Sequence, residues 1–211
     1  MKNLGYLCLV FHAHLPYVRH PEHEEFIEER WLFEAVRECY LPLIRMLASR
    51  KARRGASRFT LSLSPSLVAM LDDDLLRKRT TRYLERTAKL ADHLAAKFTG
   101  DAKVAPVARY YQVLAEQNLQ TWKDCDRDLV GAFITAEQQK KVELITTAAT
   151  HAFLPLWKRH FDATKRQVEI GVRAFRARVG HDPAGIWLPE CGYYPGLEDV
   201  LGSFGLKYFF I

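Results

Sequence analysis

Histidine, carboxylate and aromatic side chains follow three strand-like apolar segments of this 211-residue sequence. They are His12 and His14 after the first segment, His151 after the third, and Trp187, Glu190 and Tyr193 at the end of the fourth. In parallel α/β folds, ligands meet the carboxyl ends of the strands, which share one edge or face of the sheet. These side chains are therefore predicted to lie together and to form a functional site.

Two chemistries fit these residue types. Histidines in a His-x-His pattern, with another histidine and a carboxylate, could hold a divalent metal that activates water. Alternatively, Glu190 acts as nucleophile or acid/base in glycosyl transfer, while histidines bind sugar hydroxyls and aromatic rings stack on sugar faces. The aromatic stretch "IWLPECGYY" favours the second chemistry, because a saccharide site needs flat apolar walls. We therefore expect no metal or other cofactor at His12, His14 and His151.

Strand and helix patterns alternate along the chain and would position these residues. Strands are predicted at "LGYLCLVF" (4–11), "RFTLSLS", "VELITT", "GIWLPE" and "LKYFFI". The first is apolar enough to be buried on both faces, and so is the last. A helix is predicted over 24–49, which Pro42 should kink or break, and another over 162–180, which Gly180 should end. Ser64 before Pro65 is predicted to cap a third helix.

The region from about 66 to 139 has a helical pattern almost throughout and is predicted to be a helical insertion between strands two and three. Strands alternating with helices predict an α/β fold with a parallel sheet, open or closed into a barrel. A buried last strand would need a further covering layer. We therefore expect residues 1–211 to be the N-terminal part of a longer enzyme.

Composition excludes several classes of protein. The net charge of +6 could suit a polyanion, but basic residues alternate with acidic ones except in the run Arg50–Arg58, so no nucleic-acid partner is expected. No apolar run is long enough to span a membrane. The four cysteines lie far apart without a CxxC pair, which predicts reduced thiols in a cytoplasmic protein.

Three segments, "FHAHLPYVRHPE", "LITTAATHAFLPLW" and "GIWLPECGYYPGLEDVL", resemble the first three signature regions of glycoside hydrolase family 57, in order. The resemblance is greatest to the 1,4-α-glucan branching enzymes of that family. It implies an incomplete (β/α)7 barrel, similar to a TIM barrel, that acts on α-1,4-glucan with retention of configuration. It also implies that Glu190 is the nucleophile, and that His12, His14, His151, Trp187 and Tyr193 bind substrate or support the site.

The same resemblance places the general acid/base, an Asp, in a later region beyond Ile211. A retaining mechanism needs two carboxyl groups, so the 211 residues alone are expected to be inactive. Arg19 and His20 are interpreted as anchors of the loop after the first strand.

Other functions stay open at this point. Within the family they are an α-amylase or a 4-α-glucanotransferase. Outside it they are a metal-dependent, deacetylase-like hydrolase and a non-catalytic glucan-binding half-barrel. The oligomeric state is not predicted.

Overall fold

The computed structural model describes residues 5, 7–49 and 58–211. Five parallel strands form one sheet in chain order: β1 Val10–Ala13, β2 Phe59–Leu63, β3 Val142–Thr147, β4 Gly185–Trp187 and β5 Tyr208–Phe210. The register pairs His12 with Ser62 across β1 and β2, and Thr147 with Trp187 across β3 and β4. The predicted parallel sheet is therefore confirmed.

Helices connect successive strands. Between β1 and β2 lie α1 (Glu29–Ala35) and α2 (Leu41–Ser49), joined by a π-helical turn over Val36–Tyr40. Between β2 and β3 lie α3 (Pro65–Asp72), α4 (Asp74–Lys97), α5 (Ala105–Asp124) and α6 (Leu129–Gln138). The last two connections contain α7 (Phe161–Val179) and α8 (Leu197–Ser203). The predicted helical insertion between strands two and three is therefore present as four helices.

The chain divides into two compact units. One contains the described residues of Met1–Tyr17 and Ala52–Ala69 together with Phe133–Ile211, and includes the whole sheet. Its apolar core includes Leu154, Val168, Ile186, Leu188 and Leu197, all fully buried.

The other unit comprises Val18–Lys51 and Met70–Ala132. In it α4 packs against α5. The Trp122 ring of α5 is buried between them and donates its Nε1–H to Thr81 Oγ1 of α4 at 2.9 Å.

The predictions for the first and last strands were wrong in detail. β1 starts at Val10 and includes His12, whereas Leu7 and Leu9 before it are 84% and 46% exposed. Predicted strand residues 4 and 6 lie outside the described part of the chain. β5 is half-buried along its length. Both strands lie at the ends of the strand order, so each has one strand neighbour in the described sheet and is less covered than a central strand.

Pro42 does not break its helix. The helix starts at Glu29, and the irregularity precedes the proline, where the Leu41 N–H bonds to the Val36 carbonyl five residues back. Pro42 is the second residue of α2 and directly follows this π-helical turn.

Two predicted helix ends, the start of α3 and the end of α7, are confirmed. Ser64 Oγ accepts a hydrogen bond from Leu67 N–H at 3.2 Å and caps α3. Gly180 ends α7 with a left-handed φ of 94°.

Residues 50–57 of the basic run Arg50–Arg58 lie outside the described part of the chain. All four cysteines are free thiols. Within the described ranges, no helix combines the length and apolarity needed to cross a membrane.

Candidate active site

Three histidine rings and one indole, with nearly parallel planes, lie together within the unit that contains the sheet, and we call this group the histidine stack. Ring centroids are 3.9 Å apart for His14 and His151, 4.8 Å for His151 and His12, and 4.8 Å for His12 and Trp187. Their planes are tilted by 24°, 21° and 10° respectively. The carboxyl ends of β1, β3 and β4 thus bring together residues that are up to 175 positions apart in the sequence.

Nδ1 of each histidine contacts a side-chain hydroxyl that lies in β2, directly after β2 or in β3. His12 Nδ1 lies 3.2 Å from Ser62 Oγ, and His14 Nδ1 lies 2.9 Å from Ser64 Oγ. His151 Nδ1 lies 3.3 Å from Thr147 Oγ1. These hydroxyls fix the ring orientations, because a bonded ring nitrogen restricts rotation about the side-chain bonds.

The contacts of these hydroxyl residues with the histidines were not predicted from the sequence, although a signal for some of them exists. In "TLSLS", the second strand carries a hydroxyl at every second position. All five residues of β2 are buried. A row of buried polar groups needs hydrogen-bond partners, so this alternation indicates a polar network inside the sheet.

Glu190 lies beside the stack. Its Oε1 is 3.4 Å from His151 Nε2, and its side chain is 75% exposed whereas that of His151 is 6% exposed. Both residues have left-handed backbone conformations, with φ of 53° at Glu190 and 57° at His151. For residues with a Cβ, this conformation costs about 1 kcal/mol or more each, and such strain is concentrated at functional sites. The two loops therefore use strained backbone to direct His151 and Glu190 toward each other.

The imidazoles are neutral at pH 7. Burial, together with His151 and His14, lowers the pKa of His12 to about 3. Burial and His151 lower the pKa of His14 to about 4, although the Glu190 carboxylate raises it. The pKa of His151 is also lowered by burial, against the effect of Glu190. Neutral rings can both donate and accept hydrogen bonds, as recognition of sugar hydroxyls requires.

Acid is therefore expected to destabilise the fold through this cluster. Between pH 6.5 and about 4, the unfolded chain binds protons at His12 and His14 that the folded chain does not, so the free energy of unfolding falls as the pH falls. The expected loss at pH 5 relative to pH 7 is about 1 kcal/mol per histidine, after allowance for partial exposure. Thermal or denaturant unfolding between pH 7 and 5 measures it.

Variants isolate the contribution of the cluster. Protonation of His181 favours the folded chain and so partly offsets the effect of the cluster, because hydrogen bonds to the Asp182 carbonyl and to Glu137 raise the pKa of His181. We expect His12→Asn to make the pH dependence shallower, whereas His93→Asn, at an exposed position of α4, should leave it as in wild type. Equal slopes for both variants would contradict a neutral, buried His12.

The side chain of Tyr193, the last predicted site residue, pairs with residues outside the histidine stack. The Tyr193 ring stacks on Phe209 with centroids 5.6 Å apart, and its hydroxyl donates to Glu198 Oε2 at 2.9 Å. No contact between Tyr193 and the histidine stack is found among the described residues, so its role in substrate binding stays a prediction.

Arg19 Nε donates to Asp73 Oδ2 at 2.7 Å, and the His20 ring stacks on Phe26, as expected of loop anchors.

A metal ion needs several side-chain donors that converge on one point. In the part of the chain that the structure describes, no group of three or more His, Cys, Asp or Glu side chains is placed to hold one. The three imidazole planes are nearly parallel, and the centroids of His12 and His14 are 5.8 Å apart, so the rings form a compact group and not a single column.

Comparison with known proteins identifies the family. The profile of the family described as "Glycosyl hydrolase family 57" matches residues 8–211. A 1,4-alpha-glucan branching enzyme from Thermococcus kodakarensis is 34% identical over 98% of this chain and 32% of its own length. A probable 1,4-alpha-glucan branching enzyme from Mycobacterium tuberculosis is 28% identical over 98% of this chain and 41% of its own length.

Solved structures show the same likeness. The alpha-amylase AmyC from Thermotoga maritima matches 96% of this chain and 39% of its own, with a TM-score of 0.90 and 36% identity. A branching enzyme from Pyrococcus horikoshii matches 97% of this chain and 41% of its own, with a TM-score of 0.88 and 33% identity.

The chain thus spans roughly two fifths of the length of these solved structures. The likeness confirms the predicted fold class, which is parallel strands of a (β/α)7 barrel with a helical insertion between strands two and three. Because the family profile matches nearly the whole chain, this protein belongs to glycosyl hydrolase family 57.

Proposed function

We propose that this chain supplies the nucleophile and the donor-sugar side of a retaining, α-glucan-active enzyme, and that the reaction is 1,4-α-glucan branching. One observation carries the proposal: the Glu190 carboxylate lies 3.4 Å from a stack of neutral imidazoles that ends in Trp187. A carboxylate supplies the attacking charge, the imidazole edges bind hydroxyls, and the indole offers an apolar ring for a sugar face. The family relatives named as branching enzymes support the choice of reaction.

The proposed reaction has two steps. A Glu190 carboxylate oxygen attacks C1 of the donor glucose while the C1–O4 bond breaks, and the general acid gives its proton to O4 of the leaving chain. The product of this step is a covalent glucosyl ester of Glu190 with inverted C1. An acceptor 6-hydroxyl then attacks C1, the same acid/base takes the hydroxyl proton, and the Glu190 carboxylate leaves. Two inversions give net retention and a new α-1,6 branch, as in glycogen.

The residue that acts as acid/base is expected after Ile211, on the family resemblance. His12, His14 and His151 orient donor hydroxyls in this scheme, and Tyr193 contributes at a neighbouring subsite. The substrate is an amylose- or glycogen-like α-1,4-glucan, with neither nucleic acid nor membrane involved. The wide spacing of the four cysteines supports a cytoplasmic location.

Hydrolysis of α-glucan is a second candidate, since AmyC is named an alpha-amylase and shares 36% identity with this chain. Transfer of a glucan chain to a 4-hydroxyl, as by a 4-α-glucanotransferase, is a third candidate reaction. These reactions share the glucosyl ester and differ only in whether water, a 6-hydroxyl or a 4-hydroxyl attacks it. Proton NMR of amylose digests separates them through new α-1,6 signals, new reducing ends, or neither.

Chemical rescue tests the assignment of the nucleophile. In the full-length protein that carries this chain, Glu190→Ala should be inactive on amylose, and azide should restore turnover with an activated α-glucosyl donor by attacking C1 from the vacated side. The expected product is the β-glucosyl azide, inverted relative to the donor. Mass spectrometry and NMR of the product measure both its formation and its configuration.

The outcome distinguishes this role from others. Rescue with retained configuration would assign Glu190 as acid/base instead. Absence of any rescue, with activity that follows added metal, would favour a metal-dependent hydrolase. A non-catalytic glucan-binding protein would turn over no donor in wild type.

A further inference from the structure

Thr147, the last residue of β3, connects the histidine stack to β4. It is fully buried and pairs with Trp187 in the sheet register. Its Oγ1 donates a hydrogen bond to the Trp187 carbonyl oxygen at 2.7 Å and lies 3.3 Å from His151 Nδ1. One hydroxyl thus contacts both the backbone of the nucleophile strand and the imidazole that faces the nucleophile.

A count of protons assigns the tautomer of His151. A carbonyl oxygen can only accept, so the single hydroxyl proton of Thr147 is directed to Trp187. The Thr147 oxygen can then interact with Nδ1 of His151 only by accepting a proton from it. A neutral imidazole carries one N–H, so Nε2 is left as a bare acceptor.

This bare nitrogen faces the nucleophile. His151 Nε2 and Glu190 Oε1 are 3.4 Å apart, and without a proton between them both act as acceptors. An N–H donated to a carboxylate stabilises its charge and makes it less available for attack. Keeping the proton on Nδ1 therefore leaves the Glu190 charge free and directs Nε2 to a ligand hydroxyl.

We propose that Thr147 is a positioning residue that holds His151 in the Nδ1–H tautomer, so that Nε2 accepts a hydrogen bond from the donor sugar and does not donate one to Glu190. The tautomer rests on the geometry alone, whereas its consequence for the reaction rests on the proposed function.

Ser62 repeats the arrangement one strand away. Its Oγ donates to the Thr146 carbonyl at 3.4 Å and lies 3.2 Å from His12 Nδ1. At 3.4 Å the Ser62 contact is too long to fix the direction of the hydroxyl proton, so the tautomer is inferred for His151 and not for His12. His12 Nε2 is buried and has no hydrogen-bond partner among the described residues.

Nitrogen-15 NMR of the wild-type protein, labelled at histidine, tests the tautomer without any glucan. At pH 7 we expect His151 to show a protonated-type shift at Nδ1 and an unprotonated-type shift at Nε2, with the signals assigned by their loss in His151→Asn. An Nε2–H tautomer, or a doubly protonated ring, would overturn the proposal whatever the variants below show.

Three threonine variants test the role of the hydroxyl. Thr147→Val removes the hydroxyl at constant shape and should shift His151 toward the Nε2–H tautomer. We expect kcat on amylose to fall by up to about tenfold. Thr147→Ser should restore both readouts. Thr146→Val is the matched control, because Thr146 is equally buried but its hydroxyl bonds to the carbonyls of Gly171 and Thr147 and, among the described residues, to no histidine.

The two readouts separate the possible failures. A tautomer shift in Thr147→Val with unchanged kcat would overturn the positioning role, and so would equal effects of Thr147→Val and Thr146→Val. Failure of the proposed function would appear in the Glu190 variants, while the NMR result of the wild type would be unaffected.

Discussion

Replacement of Glu190 by glutamine is expected to lower turnover of amylose by at least about a thousandfold in the full-length protein, while binding of maltooligosaccharides persists. Glutamine keeps the shape and most hydrogen bonds of the side chain but removes the attacking charge, so the glucosyl ester cannot form. A thousandfold loss corresponds to about 4 kcal/mol of transition-state stabilisation. Steady-state kinetics measure kcat, and calorimetric titration measures binding.

Glu169→Gln is the matched control for this substitution. Glu169 is also a carboxylate of the same compact unit, but it pairs with Arg166 and Arg173 on α7 and has no role in the proposed site. We expect its kcat to stay within a factor of two of wild type. If Glu190 only holds the turn that contains it, Glu190→Gln should keep turnover within about tenfold, a loss of about 1.4 kcal/mol, and the nucleophile assignment would be wrong.

Sequence patterns predicted the edge of the sheet at which the candidate site lies. Apolar runs mark strands, and a parallel arrangement places their carboxyl ends together, so the proximity of His12, His151 and Glu190 followed from local patterns and one topological rule. The family resemblance, in contrast, was needed to give Glu190 a role.

Side-chain partners could not be predicted in the same way. His12 and Ser62 are fifty residues apart, and their contact depends on the register between β1 and β2, which the sequence does not state. The left-handed conformation of Glu190 also has no local signal, because such conformations favour glycine. The stacking of the Tyr193 ring on Phe209 likewise depends on the path of the turn after Glu190, and the role of Tyr193 in substrate binding stays a prediction.

Substitution of Gly171 by alanine is expected to have the largest effect on stability. Gly171 lies in α7, where a Cβ would meet the Thr147 carbonyl oxygen at 2.3 Å and Ala149 N at 3.5 Å. These atoms belong to the backbone at the carboxyl end of β3, so the clash cannot be relieved by rotating a side chain. α7 would have to move away from the strand that positions Thr147 and His151, at a cost of about 3 kcal/mol, the upper end of the range for overpacking.

Gly202→Ala provides the comparison, since Gly202 lies in α8 and a Cβ there meets no atom within 4 Å. Alanine should stabilise that helix by about 0.5 to 1 kcal/mol, because it loses less backbone entropy on folding than glycine does. Denaturant unfolding of both variants measures the difference, expected to be about 4 kcal/mol in favour of Gly202→Ala. A Gly171→Ala protein as stable as wild type would show that α7 does not lie as close to β3 as the structure places it.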